Sequence, residues 1–362
     1  MNITRQLHDL NQSLWLDNIT REILDNGTLS RYVQELSISG LTSNPTIFDE
    51  AIGNTADYDA DIREKAGKRL SRESIFVELA LADLRRAADI FTPIHEATRG
   101  RDGWVSMEVS PEIADDAKAT IESALAIHAE AGRPNLYIKI PGTAAGLEAI
   151  SETIFRGVPV NVTLLFSREQ YLAAANAYLT GVARRVAAGL DPRISSVASL
   201  FVSRWDRAVA DKAPAALRNR LGIAIAQRTY RAYTELLHSK RWRELAAAGA
   251  ESQRLLFAST GTKDPKASPS LYVEGLAAPD TINTMPDKTL LAFAADGKLR
   301  GTLAADGGDC EEVLAQFAAA GIDVQALAVK LQKDGAASFV KSWRELMERI
   351  SIKSAVLADA HA

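Results

Sequence analysis

The feature that most restricts this chain is an alternation. Eight short β-rich runs, at 13–17, 38–43, 103–109, 136–141, 158–165, 194–202, 254–260 and 280–285, are separated by stretches rich in Ala, Leu, Glu and Arg. Strand followed by helix, repeated, requires a parallel sheet covered by its crossovers. Eight such units in about 290 residues fit a closed (β/α)8 TIM barrel better than an open doubly wound sheet. The open sheet's usual ligand signatures are missing, because no GxGxxG follows the first strand and no GxxxxGK[ST] occurs.

The segment 168–189 illustrates a crossover. Ser167 and Gln170 fit a capping box, and Gly189 stands where a helix would stop. The stretch 54–90 is long enough for two helices. After residue 287 the pattern turns helical, with helices expected at 310–320, 323–333 and 335–350 and breaks at Gly307-Gly308 and Gly321. The expected organisation is one barrel domain over residues 1–362, with the barrel at about 10–300 and a C-terminal helical extension at about 305–362 packed on it.

Composition narrows the function. Of 362 residues, 47% are hydrophobic and 24% charged, which suits a packed globular protein. A net charge of -4, without a dense basic run, argues against nucleic acid as partner. No apolar stretch reaches the roughly 20 residues of a membrane span, and residues 1–10 lack the core of a secretory signal, so the expected location is cytoplasmic and no membrane is involved. Cys310 is the only cysteine, which leaves no disulfide and no thiolate cluster. His8, His95, His128, His238 and His361 lie outside the strands and show neither HxxxH nor HxH spacing. Neither a metal nor another cofactor is expected.

Strand parity then exposes polar residues that a barrel would have to bury. In LYIKIPGT, Leu136, Ile138 and Ile140 share the face turned to the helices, while Tyr137 and Lys139 look inward. Ser106 and Glu108 oppose Val105, Met107 and Val109; Asn161 and Thr163 oppose Val160, Val162 and Leu164. Asp17 ends the first strand, and Ser199 lies in the sixth. A single strand lysine would usually be a satisfied salt bridge. Polar groups of matching parity near the C-terminal ends of several strands instead mark the face where barrel enzymes build active sites. Burial favours a lysine's neutral, nucleophilic amine over its ammonium form.

At this point the motifs resemble a family. SLWLDNITR (13–21), GLTSNPTIF (40–48), WVSMEVSP (104–111), YIKIPGT (137–143), NVTLLFS (161–167), VASLFVSRWD (197–206), SKRW (239–242), QRLLFASTGTKDP (253–265) and TINTMP (281–286) are similar, in order and across nearly the whole chain, to transaldolases of the longer bacterial type. The resemblance implies a class I aldolase barrel with Lys139 as Schiff-base residue. It implies an acid/base role for Asp17 in carbon–carbon cleavage, and for Glu108, with a water held by Thr163, a role in carbinolamine chemistry. Asn44 and Asn161 then bind substrate hydroxyls or the intermediate, Ser199 and Phe201 line the pocket, and Arg204 binds phosphate. Shorter relatives carry a second arginine after the seventh strand. This chain reads ASTGTKDP there, which leaves Lys263 as the second phosphate contact.

The implied partners are phosphorylated sugars: a ketose phosphate donor and an aldose phosphate acceptor. A homodimer is the assembly considered. Two alternatives stay open: a fructose-6-phosphate aldolase-like enzyme, whose known members are much shorter, and a catalytically silent sugar-phosphate binding barrel, which would not need an interior amine.

Overall fold

The computed structural model describes residues 2–359, so Met1 and residues 360–362, with His361 among them, lie outside it. Eight strands follow the expected runs: β1 Ser13–Asp17, β2 Ile38–Thr42, β3 Val105–Glu108, β4 Leu136–Pro141, β5 Val160–Leu165, β6 Ser196–Phe201, β7 Arg254–Ala258 and β8 Ile282–Met285. They form one sheet in the order β2-β1-β8-β7-β6-β5-β4-β3, and every pair is parallel. The two ends meet where Leu41 N donates to Trp104 O at 2.9 Å and Gly103 N donates to Ser39 O at 2.7 Å, closing the (β/α)8 barrel. Closure depends on Gly40, because a Cβ there would lie 2.7 Å from the Trp15 ring and 2.9 Å from Trp104 O.

Alternation sorts the strand residues into two layers. Leu136, Ile138, Ile140, Val105, Met107, Val109, Val160 and Val162 pack outward in the cluster shared with the helices. Trp15, Trp104 and Tyr137 fill the interior, with Trp104 and Tyr137 stacked at 4.0 Å between centroids. This aromatic layer plugs the barrel, so anything bound must sit above it, at the C-terminal ends of the strands.

Leu164 departs from the expected parity. Its φ of +59° and the register irregularity between Val162 and Leu165 turn it away from the outer face, into the cluster with Phe166, Phe201 and Phe339. The strand bends here because it is reaching its mouth, where alternation no longer rules.

Among the crossovers, the helix Arg168–Ala187 carries the capping box of Ser167 and Gln170, and Gly189 follows it with φ +68°. The long second crossover holds Asp59–Gly67 and Arg72–Ala97 after a first helix, Pro45–Asn54. The C-terminal region differs from expectation. Cys310–Ala319 is a helix, but 323–333 and 335–350 are parts of one continuous helix, Val324–Asp359, that runs through Gly335. Glycine costs a helix interior only about 1 kcal/mol relative to alanine, which tertiary packing can override. This helix packs on Pro45–Asn54, Asp59–Gly67 and Arg72–Ala97, held by ion pairs of Arg349 with Asp49 at 2.6 Å and of Lys353 with Asp59 at 2.6 Å. No single helix among the described residues is long and apolar enough to cross a membrane.

Candidate active site

Strand register sets the first row of the site. Glu108 on β3 pairs with Lys139 on β4, and Lys139 pairs with Asn161 on β5, so three inward polar groups lie side by side. On the opposite wall Asp17 on β1 pairs with Thr42 on β2. A cavity of about 620 Å³ opens above them. Of the residues singled out in the sequence, Asp17, Asn44, Lys139, Thr163, Ser199, Phe201, Arg204 and Lys263 all line it.

Lys139 is only 5% exposed; its Nζ donates to Ser43 O at 2.9 Å and lies 2.9 Å from Glu108 Oε1. The amine is therefore half of an ion pair. Burial pushes the Glu108 carboxyl above the usual carboxylate range, with Lys139 opposing the shift. A group so placed can hold or release a proton beside the amine.

Behind Lys139 lies a second, small cavity of about 20 Å³, bordered by Glu108, Thr163 and Phe339. Neither Glu108 oxygen has an aligned hydrogen-bond donor among the described residues, and Thr163 Oγ1 has no partner. A space above about 10–15 Å³ with several polar partners is the size and chemistry of a single-water site.

Asp17 is half-buried, and desolvation raises its carboxyl, against the pull of Lys139 and of a hydrogen bond from Thr42 Oγ1 at 2.7 Å. Thr42 is itself braced by Thr284 Oγ1 at 2.8 Å. Asn44 lines the cavity from the N-cap of Pro45–Asn54, where its Oδ1 accepts from Ile47 N at 3.2 Å. Asn161 sits lower than the others. It is wholly buried, donates through Nδ2 to Ser106 Oγ at 3.2 Å and accepts from Ser199 Oγ at 2.7 Å, which places it under the floor of the cavity rather than in its lining.

At the far wall Arg204 lies in the first turn of the helix Ser203–Val209, with its guanidinium 4.9 Å from the centre of the Phe201 ring. It has no ion-pair partner among the described residues, and desolvation lowers its affinity for its proton. Lys263, on the loop after β7, is exposed and likewise unpaired among the described residues. Two unpaired cations on one side of a polar cavity form a place for an anion.

Several lining residues had received no role. Thr42, Ser259 and Thr284 lie inside motifs already noted, GLTSNPTIF, QRLLFASTGTKDP and TINTMP, and could have been taken from them. Ser338 and Phe339 come from the C-terminal helix, and only the out-of-place Gly335 hinted that this helix approaches anything closely. Among the described residues no group of three or more His, Cys, Asp and Glu is arranged to hold a metal ion, and Cys310 is buried away from the cavity.

Comparison with known proteins agrees with this geometry. The family model described as Transaldolase/Fructose-6-phosphate aldolase matches residues 14–350. The chain is 42% identical over 351 residues, 95% of each chain, to the transaldolase of Saccharopolyspora erythraea. It is 40% identical over 372 residues, 98% of each, to transaldolase 2 of Nostoc punctiforme, and 39% identical over 348 residues to the transaldolase of Neisseria gonorrhoeae, covering 96% of this chain and 99% of that one. A lysine and two raised carboxyls at the C-terminal mouth of a (β/α)8 barrel, in a chain matched to these relatives along its length, are accounted for together: the chain belongs to the transaldolase/fructose-6-phosphate aldolase family.

Proposed function

We propose that this chain is a transaldolase of the non-oxidative pentose phosphate pathway. It moves a dihydroxyacetone unit from sedoheptulose 7-phosphate or fructose 6-phosphate to glyceraldehyde 3-phosphate or erythrose 4-phosphate, through a Schiff base on Lys139. The observation that carries the reading is the Glu108–Lys139 pair, 2.9 Å apart and buried at the base of a cavity with unpaired cations on its far wall. A silent binding barrel would gain nothing from burying that pair, because the desolvation of two charges is costly.

In this reading Glu108 takes the ammonium proton, and the Lys139 amine attacks the ketose carbonyl. Glu108, through a water held with Thr163, then carries protons to and from the carbinolamine as it loses hydroxide to become an iminium. Asp17 accepts the proton of the hydroxyl on the carbon beyond the bond that breaks. The electrons of that bond move into the iminium nitrogen, the aldose phosphate leaves, and an enamine of three carbons stays on Lys139. The acceptor aldehyde is attacked by this enamine, Asp17 returns its proton, and water, with Glu108 moving the protons, hydrolyses the new iminium to release the ketose phosphate and the Lys139 amine. Asn44 and Ser199 meet substrate hydroxyls, Asn161 orients Ser199 from below, Phe201 walls the pocket, and Arg204 with Lys263 grips phosphate. The reaction uses cytoplasmic phosphosugars as its partners and asks nothing of nucleic acid or membrane.

With fructose 6-phosphate and erythrose 4-phosphate together, sedoheptulose 7-phosphate and glyceraldehyde 3-phosphate are expected in equal amounts. Without the acceptor, free dihydroxyacetone should stay at trace level. Release of free dihydroxyacetone as fast as transfer would make the chain an aldolase instead.

The acid limb of the pH profile tests Asp17. Its carboxyl must be ionised to accept a proton, and the Thr42 hydroxyl stabilises that ionised form. Thr42→Val removes the donor, so the acid limb of kcat/KM is expected to move to higher pH. A limb that stays in place or moves to lower pH would remove Asp17 from that role.

A further inference from the structure

The C-terminal helix Val324–Asp359 crosses the mouth of the barrel at a fixed height. Gln332 Nε2 donates to the carbonyls of Gly142 after β4 and Leu164 at the end of β5, each at 3.0 Å. Farther along, Arg344 pairs with Glu112 after β3 at 2.9 Å, and Arg349 pairs with Asp49 after β2. The helix is thus tied to the C-terminal end of β5 and to the segments that follow β2, β3 and β4.

Between these anchors its inner side meets Arg204. Gly335 presents a bare Cα, where a Cβ would lie 3.0 Å from Leu164 Cδ2 and 3.3 Å from Arg204 Nη1. One turn later Phe339, 7% exposed, lines both the main cavity and the small cavity behind Lys139. Its ring centre lies 5.9 Å from the Arg204 guanidinium carbon, with the Phe201 ring 4.9 Å from the same carbon.

From this the geometry points to Phe339 as a positioning residue for phosphate recognition: with Phe201 it sets a ring against the Arg204 guanidinium and aims it into the cavity. The inference rests on the reading of Arg204 as a phosphate contact. An arginine without a carboxylate partner has no other fixed restraint on its fork, and ring faces attract the cation without neutralising it or occupying its five donors. The fork therefore stays free for two phosphate oxygens. Gly335 provides the room, Gln332 the height, and Phe339 the contact. This gives the C-terminal helix a part in substrate selection.

The test measures inhibition of transfer by inorganic phosphate, in full-length variants whose melting temperature is checked first. Phe339→Leu keeps an apolar side chain and loses the ring; its inhibition constant is expected to rise about fivefold, in line with a partly desolvated cation–π contact. Phe339→Tyr keeps a ring face and should stay close to the parent protein. Gly335→Ala, which pushes a methyl against Arg204, should raise the constant without touching Phe339, so that the proposal stays testable if Phe339→Leu fails to fold. In an Arg204→Ala background, Phe339→Leu should add nothing further. An equal rise in both backgrounds, an equal rise for Phe339→Tyr, or no rise in Phe339→Leu and Gly335→Ala would overturn the positioning role while leaving Arg204 as the phosphate contact. An unchanged constant in Arg204→Ala alone would overturn the phosphate reading of Arg204, and the positioning role with it.

Discussion

Lys139→Arg, which keeps the positive charge beside Glu108 but offers no nucleophilic amine, is expected to lose transfer activity by a factor on the order of 10⁵ or more, as when a covalent nucleophile is removed from an enzyme. Steady-state rates with fructose 6-phosphate and erythrose 4-phosphate read this directly. Lys139→Ala should be equally inactive and, in addition, should behave differently with pH. Lys139 is the group that pulls the Glu108 carboxyl down against burial, so without it that carboxyl titrates still higher in the folded protein. A carboxyl raised on folding contributes its stability below the unfolded value and loses it as pH rises through the folded one. The melting temperature of Lys139→Ala relative to the parent should therefore fall as pH rises. Activity surviving in both variants would place the chemistry elsewhere.

The second large effect belongs to Asp17. Asp17→Asn keeps the shape of the side chain but cannot accept a proton, and kcat is expected to drop by about 10²–10⁴, the usual worth of a general base. The defect should fall after imine formation, because Glu108 and Lys139 are untouched. Borohydride reduction of Asp17→Asn with fructose 6-phosphate should then leave the whole six-carbon ketose phosphate on the protein, where the parent protein carries the three-carbon remnant of cleavage. Intact-protein mass separates the two. A three-carbon adduct formed by Asp17→Asn at the parent rate would show that cleavage does not pass its proton through Asp17.

The barrel and most of its catalytic floor were readable in the sequence because both follow from period-two alternation. Every strand run coincides with a strand to within about two residues, the usual scatter of boundaries. Glu108, Lys139 and Asn161 line up because neighbouring strands of a parallel barrel share register. What could not be read depended on contacts between residues far apart in the chain. The Glu108–Lys139 ion pair joins β3 and β4, and no local pattern distinguishes it from two separate polar residues. Asn161 has the parity of a lining residue, yet its hydrogen bonds to Ser106 and Ser199 hold it below the cavity. Leu164 leaves the outer face at the point where the strand irregularity begins. The C-terminal helix is continuous where two helices were expected, and the contacts that carry it past Gly335, the close approach to Leu164 and Arg204, join residues far apart in the chain.

A Schiff base on Lys139 can be trapped by reducing the parent protein with borohydride in the presence of fructose 6-phosphate and mapping its peptides by mass. A dihydroxyacetone-derived mass is expected on the peptide that contains Lys139, accumulating as activity is lost, with no label in Lys139→Ala. Label on a different lysine, or undiminished activity after reduction with no label on any lysine, would contradict that role for Lys139.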